Sequence, residues 1–300
     1  ENIFGLPNPA SEGFAVTDPT SAEGTAALYG LSMLHTMFNV INTLILVWFT
    51  RQIANLVSKI IRTPENQEKE VFKLKYISAG PLSTPELSVE QAFNEVIHFA
   101  EISKNGASYI KEAINETADD KFEVLRGKLV KYEEISDRVE YEIATFLNGV
   151  SAEEISESTS YKIKAMYKII GELESLGDSG ETISRILSRK NIHHKSFDSE
   201  SIDNLNTMAD AVITAYDVMI ENLNAAHKGE LTDIRNAYNA EEHINTLRNN
   251  FRDAVIEDMD SGSKNYQSMV YYMDIMNSYE HMGDFMINVS QDLERAFIHK

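Results

Sequence analysis

The sequence contains no cysteine among its 300 residues. Disulfides and thiolate metal sites are therefore excluded, and carboxylate and histidine remain as the strong ligands for any metal. Basic residues are scarce as well, 27 against 47 acidic ones. The resulting net charge of −20 excludes nucleic-acid binding by charge neutralisation and makes cations the natural partners. No Gly-x-Ser-x-Gly elbow, phosphate-binding P-loop or Gly-x-Gly-x-x-Gly fingerprint occurs, so nothing points to a hydrolase and the chain reads as a non-enzyme. The first residue is Glu1, with no basic n-region or cleavage site behind it. No signal peptide is predicted, and the chain reads as a fragment of something longer.

Charge is missing altogether from one long stretch. Residues 1–24 are rich in Gly, Pro, Ser and Thr and read as a loop, but residues 25–50 carry no charged side chain and include Leu28, Leu31, Leu34, Phe38, Ile41, Leu44, Val47 and Phe49. About 20 apolar residues span a bilayer core, so residues 25–62 are predicted to be a transmembrane helix with an extension. Tyr29 and Trp48 stand where interfacial aromatics belong, and Arg51, Lys59 and Arg62 follow on one side only. The positive-inside rule then puts everything after about residue 50 in the cytoplasm, residues 1–24 outside it, and the chain in the cell (inner) membrane. The competing reading is a buried helix of a soluble protein.

Ser32, His35, Thr36, Asn39, Asn42 and Thr43 recur at steps of three and four, forming one polar stripe along this helix. Polar groups at membrane depth need other helices or a water-filled cavity to face. The stripe therefore calls for membrane partners outside this chain, either for helix–helix hydrogen bonding or for contact with a transported solute.

Residues 63–87, with Pro81 and Pro85, read as a linker, after which Ser88 with Glu90 and Gln91 looks like a helix start. From residue 88 to 300 the apolar spacing is helical throughout. Breaks are predicted near 117–120, at Asn148-Gly149 and over 188–199, and in the second half at Lys228-Gly229 and 261–263. Six antiparallel helices in two three-helix bundles is the economical arrangement, with repeats of about 88–190 and 199–300. The fold class is all-α.

Two acidic phrases mark those repeats. Glu174-Ser-Leu-Gly-Asp178 returns as Glu280-His-Met-Gly-Asp284, and Glu133-Glu-Ile-Ser-Asp137 returns as Glu241-Glu-His-Ile-Asn245. Glu241 lies 108 positions after Glu133 and Glu280 lies 106 after Glu174, an offset too long for a solenoid unit and suited to a duplicated bundle. Carboxylates at i and i+4 share a helix face and repel. On or beside a packing face they need a counter-charge: either Arg138, Arg185 and Arg248, or a metal held by Glu133, Asp137, Glu174, Asp178, Glu241, Glu280 and Asp284.

The phrases Glu-Ser-Leu-Gly-Asp178 and Glu-His-Met-Gly-Asp284 resemble the Glu-x-x-Gly-Asp signature of the PhoU family, and Glu133-x-x-x-Asp137 is similar to its companion motif. Asn245 departs from that pattern. The resemblance covers about residues 88–297 and implies a duplicated three-helix bundle that regulates phosphate uptake, with a divalent or ferric ion held at the motifs. Upstream, Leu34-His-Thr-Met-Phe-Asn39 and the apolar run around it are similar to the last membrane segment of bacterial sodium/phosphate cotransporters, many of which carry a PhoU-like domain at their cytoplasmic C-terminus. What this implies is the C-terminal part of a sodium-coupled phosphate symporter whose membrane-embedded transport domain lies outside the chain. Sodium is then the coupling ion, phosphate the solute, and a homo-oligomer is allowed. The alternative is a stand-alone PhoU-like metal-binding regulator of phosphate uptake without transport activity.

Overall fold

The computed structural model describes residues 7–8, 14–60, 74–77, 84–261 and 265–298. It divides into two compact units, residues 1–71 and 72–300. The polar segment 63–70, the Pro81 break, Arg62 and the glycine of 261–263 lie outside the described residues, as do the side chains of Trp48, Arg51 and Lys59.

In the first unit one helix, α1, spans Ala22–Ile60 over 39 residues. Its entry is a turn in which the Ser21 hydroxyl accepts the Gly24 amide at 3.1 Å. Gly24 is required there, because a Cβ would meet the carbonyl oxygen of Pro19 at 2.4 Å. The apolar window within Ala22–Val47 has a mean hydropathy of 1.5 and no buried residue. Leu28 is 71% and Val47 is 68% exposed. A helix that filled a soluble core would have its apolar side chains covered, and this one does not.

Among its described residues the second unit contains six α-helices and no strand. These are α2 (Pro85–Asn115), α3 (Asp119–Ser151), α4 (Glu157–Ile192), α5 (Ser199–Lys228), α6 (Arg235–Ser261) and α7 (Tyr266–Leu293), the last closed by a π-helical turn at Glu294–Ile298. Several ends follow from local chemistry. The side chains of Ser156, Asp198 and Asn265 accept amides of the first turns of α4, α5 and α7, the ordinary N-cap arrangement, and Gly229 ends α5 at φ +72°, where a side chain would be strained.

Other ends differ from the sequence reading. The second helix of the chain begins at Pro85 rather than Ser88, because proline fits the first helical position, where its missing N–H is no loss. Asn148-Gly149 does not break α3: Leu147 and Val150 are buried around it, and burying two such side chains outweighs the cost of about 1 kcal/mol for one glycine. α4 runs on past Leu187 to Ile192, with Arg189 and Lys190 in its last turn complementing the helix dipole.

Helices α2, α3 and α4 pack together, as do α5, α6 and α7, and the halves join through α4 against α7 and α2 against α5. The bundles share a core. One continuous cluster runs from Ile77 to Leu293 and takes in Phe99, Ile143, Ile169, Tyr216 and Tyr279. Along the α2–α5 seam Ser103 and the Tyr216 hydroxyl hydrogen-bond at 2.9 Å, and Lys111 pairs with Asp210 at 2.5 Å. Below them Asn115 and Asn206 exchange amide bonds.

Residues 74–77 are strapped onto α2. Glu95 is completely buried, accepts the Tyr76 amide at 2.6 Å and meets His98 Nδ1 at 3.0 Å. Ile77 enters the core beside them. A buried carboxylate is retained only where its hydrogen bonds repay desolvation. We predict that Glu95→Ala, which leaves the Tyr76 amide without its acceptor, lowers unfolding free energy by about 1–3 kcal/mol in chemical denaturation. Glu95→Gln, whose amide oxygen still accepts, costs less; equal losses would show that the strap is not held by this bond.

Candidate metal centre

The glycine inside each acidic phrase has a steric reason. At Gly177 α4 crosses α3 so closely that a Cβ would meet Ser136 Oγ at 2.5 Å and Ser136 Cβ at 2.8 Å. Ser136 is flanked on its own helix by Glu133 and Asp137, and Gly177 by Glu174 and Asp178. Closing the gap between the two small residues presses four carboxylates together. The same joint recurs in the second half, where a Cβ on Gly283 would meet Ile244 Cδ1 at 3.2 Å. Ile244 is flanked by Glu241 and Asn245, and Gly283 by Glu280 and Asp284.

In the first half Glu133, Asp137 and Asp178 each offer a carboxylate oxygen, and these oxygens lie within 4.8 Å of one another. Glu174, one turn before Asp178, completes the acidic surroundings. Burial, then Asp137 and Asp178, hold the Glu133 carboxyl above its ordinary range. Glu174 is raised by burial, then by Asp178, Glu140 and Asp137, against a lowering bond from the Ser175 hydroxyl. Asp178 is raised by burial and Asp137, with Arg185 acting against them. Among the described residues no ion pair links Glu133, Asp137, Glu174 or Asp178 to a basic side chain. Arg138 turns to Glu142 at 2.7 Å and Arg185 to Glu181 at 2.8 Å.

This oxygen set fits a hard cation. Ligands on opposite sides of an ion bound at about 2.0–2.6 Å stand roughly 4–5 Å apart, so oxygens all within 4.8 Å of one another are close enough to share one ion. With no thiolate in the chain and only carboxylates at the joint, the donor chemistry suits magnesium, calcium, manganese or iron better than a soft metal.

The second half resolves the same crowding differently. The Arg248 guanidinium donates to Glu280 Oε1 at 3.2 Å, and the Asn245 side chain donates to Glu241. Glu241 is raised by burial, eased by that amide bond, and raised further by Asp284 and Glu242. His281 adds a nitrogen, with Nδ1 at 3.5 Å from Glu280 and 3.8 Å from Asp284. The seven carboxylates named from sequence therefore fall into one group per half. Of the three arginines considered with them, Arg248 alone bonds a motif carboxylate.

Glu140 and His281 were not singled out from sequence as site residues. Glu140 could have been found by laying the repeats over one another, because it lies 108 positions before Arg248; His281 sits inside a motif whose variable positions carry no pattern. On α1, Ser32, His35, Thr36, Asn39, Asn42 and Thr43 are all exposed. The Thr36 hydroxyl donates back to the Ser32 carbonyl at 2.9 Å.

No protein-family model matches the sequence, and no curated protein sequence matches it. Among solved structures the chain is similar to PhoU from Pseudomonas aeruginosa, with a TM-score of 0.61 at 13% identity over 71% of this chain and 98% of that one. It is also similar to the phosphate transport system regulatory protein PhoU from Streptococcus pneumoniae, with a TM-score of 0.59 at 14% identity over 71% of this chain and 96% of that one. At these identities the likeness is one of fold, and the chain contains a PhoU-like helical domain.

Proposed function

We propose that the chain is the C-terminal portion of a sodium-dependent phosphate symporter. In this reading α1 is the last membrane helix of a transport domain lying outside the chain, and the PhoU-like unit is its cytoplasmic regulatory domain. The observation that carries the reading is the presence in one chain of a helix whose apolar window has no buried residue and of a PhoU-like bundle. The polar stripe from Ser32 to Thr43 suits a helix that faces other membrane segments.

Within the regulatory domain Glu133, Asp137, Glu174 and Asp178 hold a divalent or ferric ion. The ion supplies the positive charge that the crossing of α3 and α4 lacks. Until it binds, Glu133, Glu174 and Asp178 keep their protons to higher pH than free carboxyls do. A bound cation can bias the transport domain only through a difference in its affinity for two states of the protein.

Two outcomes test this reading. The natural absence of cysteine makes topology directly measurable with single-cysteine variants in intact cells. Thr17→Cys is expected to react with a membrane-impermeant maleimide from outside, and Ser158→Cys only after permeabilisation. Labelling of both from the same side contradicts a single crossing, and extraction of the chain by alkaline carbonate returns the stand-alone regulator.

The second outcome concerns pH. Glu133, Glu174 and Asp178 have folded-state pKa values raised above their ordinary ones, so in that window the folded state binds more protons than the unfolded. Their contribution is favourable at low pH and is lost as pH rises through the carboxylate range. Without metal, the chain in detergent should therefore melt at higher temperature as pH falls from about 7 towards about 5. Glu174→Gln/Asp178→Asn should flatten that slope, and manganese(II) should raise the melting temperature of the parent near neutral pH. An unchanged slope in the variant would mean that these acids are an ordinary solvated face.

A further inference from the structure

Superposing the repeats through their glycine joints gives a residue-by-residue correspondence. Gly177 against Ser136 matches Gly283 against Ile244, so positions on α3 map to α6 at an offset of 108 and positions on α4 map to α7 at 106. In that register Glu140 corresponds to Arg248, and their partners Glu174 and Glu280 correspond to each other. The same sequence slot holds a carboxylate whose charge acts on Glu174 in one half and a guanidinium bonded to Glu280 in the other. The neighbouring slots change in the same sense: Asp137 becomes Asn245, and Glu181 becomes Ile287.

We infer that Arg248 is a built-in cation that takes the place of the metal in the second half, so that the domain binds its ion in the first half alone. Resting on the metal-site reading of the preceding subsection, this assigns the two motifs unequal roles. The amino-terminal motif is the one that senses an ion. The carboxy-terminal motif is an internally neutralised copy that keeps the helix crossing without needing one. The geometry has the required directness, because Arg248 reaches the glutamate of the signature itself, Glu280, from α6. Both partners are largely buried, at 22% and 17% side-chain exposure, where an ion pair is screened less than at a surface. Glu280, His281 and Asp284 also offer ligand atoms within 4.8 Å of one another, but a cation entering there would share the Glu280 carboxylate with the guanidinium bonded to its other oxygen, whose like charge opposes it.

The test moves the charge from one half to the other in the full chain, in detergent micelles. Parent, Glu140→Arg, Arg248→Gln and Asn245→Asp/Arg248→Glu are equilibrated with manganese(II), separated from free metal, and analysed for bound manganese by mass spectrometry. Their unfolding temperatures are measured in chelator. We expect Glu140→Arg to lose the manganese while its metal-free form melts above the parent. Asn245→Asp/Arg248→Glu should double the manganese content while its metal-free form melts lower. Retention of manganese by Glu140→Arg, or no gain in the double variant, overturns the inference.

If the parent holds no manganese, the metal-site reading falls and the metal-free arm decides the role of Arg248 alone. A lower melting temperature for Arg248→Gln with a higher one for Glu140→Arg leaves Arg248 as the resident counter-charge. Unchanged melting temperatures in both remove that role too.

Discussion

The close crossing of helices at a glycine is the constraint on which the rest depends. Where Gly177 lies on Ser136, any larger residue would push α4 away from α3, so the crossing keeps the helix positions that carry the flanking carboxylates close together. Glycine within a helix costs about 1 kcal/mol relative to alanine, and bringing like charges together adds to that cost. A fold free to optimise stability would separate these groups. Their retention at a close-packed crossing, with the carboxyls of Glu133, Glu174 and Asp178 raised above their ordinary range, is the pattern expected of a site that waits for a cation.

Duplication supplies the scaffold twice, and the two copies sit on the helices that join the halves. α4 carries Glu174 and Asp178 and α7 carries Glu280 and Asp284, and these two helices pack against each other through the shared core. A charge change at the α3–α4 crossing is therefore felt by an element that also holds the halves together. Such coupling needs two arrangements of the bundle that bind the ion unequally. The second crossing, tied by Arg248 and Asn245, is suited to be the fixed reference against which the first one moves.

Much of this was legible in the sequence because it depends on local chemistry. The break before Asp198 and the stop at Gly229 are written in single residues, whereas the caps at Ser156 and Asn265 lie beyond the breaks expected at Asn148-Gly149 and 261–263. The charge-free stretch of α1 stands out in a chain otherwise rich in acids. Asn148-Gly149 was misleading because its breaking tendency is weaker than the burial of Leu147 and Val150 around it. The acidic phrases gave the candidate ligands, but not their inequality. Glu140 and Arg248 differ visibly in charge, yet the difference acquires meaning only once the Gly177–Ser136 and Gly283–Ile244 contacts fix the register of the repeats. Nor does spacing reveal that Arg138 and Arg185 turn to Glu142 and Glu181 instead of the motif. Side-chain direction across a crossing is a tertiary fact.

The most direct test of the central claim is an anomalous-scattering map from crystals of the chain grown or soaked with manganese(II). The account predicts density beside Gly177, among Glu133, Asp137, Glu174 and Asp178, and none beside Gly283, where Arg248 holds Glu280. Equal density at both crossings, or none at the first, would contradict it.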